Sequence, residues 1–371
     1  MLISPSVRRV ALAASLIGLG ACGGGDSPTG PSGQTPGPTS DVTAVVFYDE
    51  NGNGQLDASE GARLPDVTAE AGGKTGRSER GSGRVVISGV PQGSQTLQLR
   101  ASSLPAYYRA GAPVAVSLPA DEGRQIALPV TLAIGSNIAN RYLEYGDSIT
   151  DGDGSSDQDG YRGRLERRLI PQLNRANVFN NGVGGTTSID GSERIGRSLA
   201  SFRPAYTLIL YGTNDWNQGA CNSDISTCFT AREIQFMVRA AKAAGSLPIV
   251  STIIPANTGF DSRAPPDRNI RVEQMNSQIR MVCASEGVPV AESYNAIMRE
   301  AGSNLRSLYV DHVHPNDRGH DLIAQSFFEA ITRASASAAF GDMPVLVGFA
   351  RPGLRRRGAT AAALAAPVLE P

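Results

Sequence analysis

Strand-like and helix-like segments alternate along residues 141–336, and this alternation limits the possible fold more than any other feature of the sequence. Apolar runs such as YTLILYG and LPIVSTII are separated by helical patterns near 192–202, 229–244 and 267–286. This alternation predicts an α/β fold in which a mostly parallel sheet is covered by helices on both faces. Ligands of such folds bind at the carboxyl ends of the strands, so a site is expected there.

Length and charge add further limits. The chain has 371 residues, more than one ordinary domain needs, and its 34 basic residues nearly balance its 35 acidic ones. A near-neutral chain without a basic stripe is not expected to bind nucleic acid. No apolar run reaches the ~18 residues that a transmembrane helix requires.

The first 22 residues are typical of an export signal. Two arginines precede the apolar run Val10–Leu19, which is too short to span a bilayer and has the length of a signal-peptide core. The run ends in Leu19-Gly20-Ala21-Cys22, which resembles the lipobox of bacterial lipoproteins and implies lipidation of Cys22. We therefore predict a signal peptide over 1–22 and a lipid anchor in the bacterial cell envelope, at the outer membrane or cell surface. An ordinary secretory signal is the alternative.

Two segments are expected to stay unfolded. Residues 23–40 are Gly, Ser, Pro and Thr almost throughout and cannot bury apolar surface, which predicts a flexible linker. Residues 337–371 show no sustained period, which predicts a disordered tail.

Residues 41–134 alternate short β-prone runs with turn residues, which predicts a small antiparallel β-sandwich. This pattern of short strand-like runs resembles that of the bacterial surface modules grouped with SdrD B-type and transthyretin-like repeats.

One loop of this region fits the twelve-position pattern of a calcium site. Gly54 permits the sharp turn, and oxygen ligands are expected at Asp49, Asn51, Asn53, Gln55, Asp57 and Glu60. We expect a structural calcium ion here. A polar hairpin turn without metal is the alternative.

Four polar motifs follow strand-like runs in the α/β region. Each is weak alone: Gly146-Asp147-Ser148, the glycine-rich run 180–185, Gly212-Thr213-Asn214-Asp215, and Asp311-His312-Val313-His314-Pro315. The chain has three histidines, and all of them lie between 312 and 320. A serine esterase working at neutral pH needs a base with a pKa near 7, and histidine is the usual one.

In this order the four motifs resemble the SGNH, or GDSL, hydrolase family. The resemblance covers about 141–335 and implies a flavodoxin-like three-layer α/β/α fold with a five-stranded parallel sheet. It implies that Ser148 is the nucleophile, with Asp311 and His314 completing the triad through D-x-x-H. It also implies an oxyanion hole of the Ser148 and Gly185 backbone with the Asn214 amide, and no cofactor for catalysis.

Residues near these motifs are expected to have supporting roles. Asp147 is expected to hold its loop, Asp215 to brace the loop that presents Asn214, and His320 to be structural or at the rim. A zinc site on Asp311, His312 and His314 is the alternative to the triad, but no second cluster would complete it.

The remaining cysteines fit an exported protein. Cys221 and Cys228 lie seven positions apart in a polar loop, so a small-loop disulfide is expected in an oxidising compartment. Cys283 lies in an apolar-periodic segment and is expected to be a buried thiol.

The substrate is inferred from the first motif and the loop after it. The sequence GDSITDG, followed by Gly160-Tyr161-Arg162, looks like the carbohydrate-acetylesterase branch of the family. We therefore expect deacetylation of an O-acetylated glycan. The acidic loop after Ser148 is expected to be solvated, with cation binding as the alternative. Its negative charge is expected to disfavour anionic substrates. Its carboxylates are Asp151, Asp153, Asp157 and Asp159.

The alternatives in function are a lysophospholipase or acyl-thioesterase, and an inactive surface-binding protein.

Overall fold

The computed structural model describes residues 37–333. The predicted signal peptide with Cys22, the linker up to residue 36 and the predicted tail over 337–371 lie outside these residues. Within them, no helix is both long and apolar enough to cross a membrane.

The first part of the described chain consists of short strands in two four-stranded sheets with orders β4-β1-β8-β6 and β3-β2-β5-β7. The strands are β1 (Thr39–Tyr48), β2 (Thr68–Ala71), β3 (Lys74–Arg77), β4 (Arg84–Pro91), β5 (Gly93–Leu99), β6 (Tyr108–Ala110), β7 (Val114–Leu118) and β8 (Gln125–Leu132). Burial alternates along β4, as expected for a strand with one face on the core.

The pairing is antiparallel except between β1 and β8, which run parallel. These are the first and last strands of the region, so the chain between them is long enough for the crossover that parallel strands require. The prediction of a purely antiparallel sandwich therefore misses this one pair.

A five-stranded parallel sheet forms the centre of the second part. Its strands are β9 (Ile138–Gly146), β10 (Asn177–Gly182), β11 (Pro204–Leu210), β12 (Leu247–Ser251) and β13 (Val290–Ala291). The order β10-β9-β11-β12-β13 is the flavodoxin-like arrangement, so the predicted fold class is confirmed. The chain order reverses between β9 and β11, and ligands of such sheets bind at this switch point.

Helices cover both faces of the sheet. They are α1 (Ser148–Asp151), α2 (Arg162–Leu173), α3 (Ser188–Phe202), α4 (Gly219–Asn222), α5 (Thr230–Ala243), α6 (Arg268–Glu286), α7 (Ser293–Ala301) and α8 (Asp317–Thr332). One core joins Leu143 and Tyr145 of β9 to α3, α5 and α6, and the other joins Tyr142 to α2 and α8. All seven residues of β11 are buried, as expected for a central strand covered on both faces.

Side chains also connect the β region to the α/β region. The Tyr107 hydroxyl donates to the Pro248 carbonyl at 2.5 Å, and its ring lies edge-on to Tyr206 with centroids 6.3 Å apart. The Glu50 carboxylate accepts hydrogen bonds from Asn140 at 2.8 Å and from Arg175 at 2.6 Å. One hydrophobic core contains residues of both regions.

Candidate active site

The first motif lies where β9 ends. A side chain at Gly146 would collide with Thr150 and with the Leu210 carbonyl, so this turn requires glycine. Asp147 caps the short helix α1 by accepting the Ile149 N–H at 3.0 Å. Ser148 is therefore held as the first residue of α1, where it is 7% exposed.

The structure brings Ser148 together with His314 and Asp311, although the first two lie 166 positions apart in sequence. The Ser148 Oγ is 2.9 Å from Nε2 of His314, and Nδ1 of His314 is 2.7 Å from Oδ2 of Asp311. Because an ionised carboxylate only accepts hydrogen bonds, Nδ1 must carry the proton. Nε2 is then the acceptor, which is the arrangement that a general base needs.

Backbone groups fix the carboxylate of Asp311. Its Oδ1 accepts the N–H groups of Val313 at 2.8 Å and of His314 at 2.7 Å. Burial alone would raise the pKa of Asp311, but hydrogen bonds from His314 and Val313 hold it below its usual value. The carboxylate therefore stays ionised and its orientation is set. The Asn257 side chain supports the same loop by donating to the Asp311 carbonyl at 2.9 Å.

The candidate oxyanion-hole groups lie in two neighbouring loops. A Cβ added to Gly184 would come within 3.9 Å of the Ser148 Cβ, which places the glycine-rich loop beside the serine. Gly185 adopts a positive φ of 75°, a conformation that favours glycine. The Asn214 amide donates to the Thr186 carbonyl at 2.9 Å, so Asn214 is held against the loop that contains Gly185.

Asp215 is completely buried and braces these loops, as the sequence analysis expected. Its carboxylate accepts the N–H and hydroxyl of Ser188 at 2.8 and 2.6 Å, and the Thr230 hydroxyl at 2.5 Å. Burial raises the pKa of Asp215 above its usual value, and these hydrogen bonds offset only part of the rise. The beginning of α3 is thereby tied to the residue that follows Asn214.

Asp147 is also fully buried, and its Oδ2 has no hydrogen-bond partner among the described residues. Burial raises the pKa of Asp147 to about 7. It is a capping residue here, which agrees with the expectation that it holds its loop.

Arg194 of α3 joins three strand ends, and sequence reasoning missed it. Its guanidinium donates to the Gly146 carbonyl at 2.8 Å, to the Asn181 carbonyl at 2.8 Å and to the Tyr211 hydroxyl at 2.6 Å. It also lies 4.2 Å from the ring centroid of Tyr145. Nothing in the local sequence distinguishes it from an ordinary surface arginine.

Arg268 of α6 is a second residue that the sequence did not indicate. It is buried, donates to the Thr213 carbonyl at 3.2 Å and lies 5.1 Å from the Trp216 ring centroid. Burial lowers the pKa of Arg268 to about 10. Arg268 therefore supports the loop that contains Asn214 through contacts with the residues on either side of it.

The three histidines do not form a metal site. His320 is buried in α8, its Nε2 lies 3.1 Å from the Asp153 carbonyl, and burial lowers its pKa to about 4. Nδ1 of His312 lies 3.8 Å from Oδ1 of Asp311 and has no hydrogen-bond partner among the described residues. Among the described residues, no group of three or more His, Cys, Asp or Glu side chains is arranged to hold a metal.

The acidic loop after Ser148 makes specific contacts through its carboxylates. Asp157 pairs with Arg164 at 3.1 Å and Asp159 with Arg162 at 2.6 Å, so these carboxylates anchor α2 instead of facing only solvent. Asp153 lies 3.8 Å from Nε2 of His314. Asp153 and Asp157 are exposed, which agrees with the predicted solvated loop, while Asp157 and Asp159 also pair with arginines of α2.

The calcium-like loop is closed by its own hydrogen bonds. Asp49 accepts the N–H groups of residues 52, 53 and 54, and Glu60 accepts those of residues 50, 51 and 57. The side-chain oxygens of Asn51 and Asn53 accept backbone N–H groups, and both amide nitrogens donate to Asp57. Calcium binding by Asp49, Asn51, Asn53, Gln55, Asp57 and Glu60 stays a prediction.

The cysteines are placed as the sequence suggested. Cys221 and Cys228 form a disulfide with an S–S distance of 2.10 Å. Cys283 is a buried free thiol in α6, and burial raises its pKa to about 12.

Part of the chain matches a known protein family. Residues 145–322 match the family described as GDSL-like lipase/acylhydrolase. No curated protein matches the chain.

Three similar solved structures each cover about half of this chain. An α/β hydrolase, LAE5, from the metagenome of Lake Arreo in Spain is 23% identical over 53% of this chain and 97% of its own, with a TM-score of 0.42. A lipase/acylhydrolase from Enterococcus faecalis is 23% identical over 52% and 95%, with a TM-score of 0.44. Axe2, an acetylxylan esterase from Geobacillus stearothermophilus, is 22% identical over 54% and 96%, with a TM-score of 0.43.

The matched segment contains every residue of the candidate triad and oxyanion hole, and it includes β10 to β13 with the last residues of β9 and the first residues of α8. Residues 145–322 of this chain are therefore similar to the GDSL-like lipase/acylhydrolase family.

Proposed function

We propose that this chain is a serine ester hydrolase that removes acetyl groups from an O-acetylated carbohydrate. The observation that carries the proposal is the continuous relay from Ser148 through His314 to Asp311, with distances of 2.9 and 2.7 Å. A nucleophile, a base with its free nitrogen toward that nucleophile, and an orienting carboxylate are together the requirements for acyl transfer through an acyl-enzyme.

The reaction proceeds in two halves. His314 Nε2 accepts the Ser148 proton while Oγ attacks the ester carbonyl, and the negative charge develops on the carbonyl oxygen. The backbone N–H groups of Ser148 and Gly185 and the Asn214 amide stabilise that oxygen. The C–O bond to the alcohol then breaks, and the leaving alcohol takes the proton from Nε2. Water attacks the acyl-enzyme by the same route, releasing the acid and restoring Ser148.

One observation from the sequence supports a sugar ester. The motif GDSITDG with Gly160-Tyr161-Arg162 resembles the carbohydrate-esterase branch of the family. A lysophospholipase or acyl-thioesterase would need a space for a long acyl chain.

The experiment is an ester-hydrolysis assay with p-nitrophenyl acetate, p-nitrophenyl octanoate and acetylated xylan. We expect acetate to be preferred over octanoate and Ser148→Ala to abolish turnover. Ser277→Ala is the matched control, because this exposed serine bonds only to its own helix at Glu273. Preference for octanoate would favour the lipase alternative. Absence of turnover on every ester, combined with tight glycan binding, would favour an inactive surface-binding protein.

We further propose that the enzyme is exported and anchored through lipid on Cys22. The support is the apolar run Val10–Leu19 followed by the lipobox-like Leu19-Gly20-Ala21-Cys22. Labelled palmitate should be incorporated in cells that produce the full chain, and Cys22→Ser should abolish incorporation. Release of an unlabelled, soluble product would instead indicate an ordinary secretory signal.

A further inference from the structure

Asp153 places a second carboxylate beside the catalytic imidazole. Its Oδ2 lies 3.8 Å from Nε2 of His314, the same nitrogen that contacts Ser148 Oγ at 2.9 Å. Asp311, in contrast, contacts the other ring nitrogen. The two carboxylates therefore flank opposite nitrogens of one imidazole, and the role proposed for Asp311 does not explain Asp153.

The backbone around Asp153 is fixed in this position. Its N–H donates to the Ser148 carbonyl at 3.0 Å, and its carbonyl lies 3.1 Å from Nε2 of the buried His320. The next residue, Gly154, has a φ of 94°, and a Cβ there would collide with the Pro315 carbonyl and lie 3.1 Å from the His314 Cβ. The loop thus packs directly on the segment that presents His314.

The Asp153 carboxylate is available to a ligand. The side chain is 56% exposed, and among residues 37–333 it has no arginine or lysine partner. The neighbouring carboxylates of Asp157 and Asp159 are each occupied by an arginine. Asp153 is therefore the carboxylate of this loop that combines a fixed backbone with an unpaired charge at the relay.

The reaction defines what occupies the space beside Nε2. The alcohol oxygen of the ester must come within hydrogen-bonding distance of this nitrogen to receive the proton as the C–O bond breaks. A group on the carbon adjacent to the one that bears this oxygen then lies within reach of Asp153 Oδ2. A carboxylate only accepts hydrogen bonds, so the complementary group is a hydroxyl, and charge-assisted bonds of this type are the stronger ones.

We propose that Asp153 is a specificity-determining residue that binds the alcohol part of the substrate by accepting a hydrogen bond from a hydroxyl adjacent to the ester. The substrate class is then esters of polyhydroxylated alcohols, with neutral or cationic alcohol parts preferred over anionic ones. The inference rests on the proposed esterase function and concerns only its alcohol specificity.

The test uses two esters that differ in one group, 2-hydroxyethyl acetate and propyl acetate. The readout is the ratio of their kcat/KM values, in which differences in intrinsic reactivity cancel between variants. We expect Asp153→Ala to lower this ratio about tenfold relative to the wild type, which corresponds to the loss of one hydrogen bond to a charged acceptor. Asp153→Asn keeps an acceptor oxygen and should give an intermediate ratio. Asp151→Asn, which removes an exposed negative charge from the same loop, should keep the wild-type ratio.

A ratio within twofold of the wild type in Asp153→Ala would overturn the proposal. Equal losses on both esters would do the same, because they would mean that Asp153 acts on the imidazole and not on the alcohol. Failure of the esterase function itself looks different: the wild type would then turn over neither ester, and Ser148→Ala would match it.

Discussion

Replacing Asp311 by asparagine tests the relay most directly, because the structure dictates how the new amide must orient. Asp311 Oδ1 accepts two backbone N–H groups, from Val313 and His314, while Oδ2 faces Nδ1 of His314. In Asp311→Asn, the amide oxygen keeps the two backbone bonds and the NH₂ group faces Nδ1. Nδ1 must then become an acceptor, so the proton moves to Nε2 and the base can no longer take the Ser148 proton.

The opposite orientation of the asparagine would preserve the tautomer but costs too much. It turns the NH₂ group toward two backbone N–H donors and leaves both without an acceptor, at about 1.5 kcal/mol each. The productive orientation is therefore disfavoured by about 3 kcal/mol, which alone lowers kcat by about 100-fold. Loss of the carboxylate's attraction for the imidazolium adds to this, and the equivalent change in a serine protease lowers kcat by about 10⁴.

The assay is the initial rate of p-nitrophenyl acetate hydrolysis under saturating substrate, with thermal melting to show that the variant is folded. Asp321→Asn is the control, since this carboxylate lies in α8 and pairs with Arg168 and Arg318. A folded Asp311→Asn enzyme that keeps more than about a tenth of the wild-type kcat would refute the reasoning about amide orientation and tautomer.

Three further outcomes are expected. Asn214→Ala should lower kcat by about 10²–10³ with little change in KM, because an oxyanion-hole donor acts mainly in the transition state; an effect on KM alone would contradict this. Asp147 has a pKa of about 7 in the folded chain, against 3.8 for an unperturbed aspartate. Unfolding between these values releases a proton, so raising the pH from 4.5 to 7.5 should destabilise the wild type by about 3 kcal/mol more than Asp147→Asn in urea titrations. Calcium should raise the melting temperature relative to EDTA if the loop 49–60 binds it, and Glu60→Gln should remove that shift.

The parts of the fold that follow from periodicity could be predicted from the sequence. Strands such as β11 are apolar throughout, and their alternation with amphipathic helices leaves few arrangements other than a parallel sheet covered on both faces. The four motifs could be predicted to lie close together, because the carboxyl ends of the parallel strands meet at one edge of such a sheet. The pairing of Ser148 with His314 is implied by the resemblance of these motifs to the SGNH family.

Long-range partners of charged side chains could not be predicted in this way. Arg194 resembles a solvent-facing helix residue, and its bonds to three strand ends exist only in the folded sheet. Glu144 is more extreme, since it sits in a strand and is fully buried with neither carboxylate oxygen bonded within the described chain. Burial raises the pKa of Glu144 well above its usual value. The composition of the acidic loop predicts only solvation and does not show that Gly154 packs Asp153 against His314.

The tyrosine contacts between the two regions bear on how this protein could be divided or recombined. Tyr107 of the β region packs against Tyr206 of the α/β region. Glu50 of the β region likewise accepts hydrogen bonds from Asn140 and Arg175 of the α/β region. Cutting the chain near residue 137 would expose an apolar, tyrosine-containing surface of the α/β region to solvent. The α/β region would then tend to aggregate when produced alone. Fusing it to a different domain would therefore require redesign of that surface.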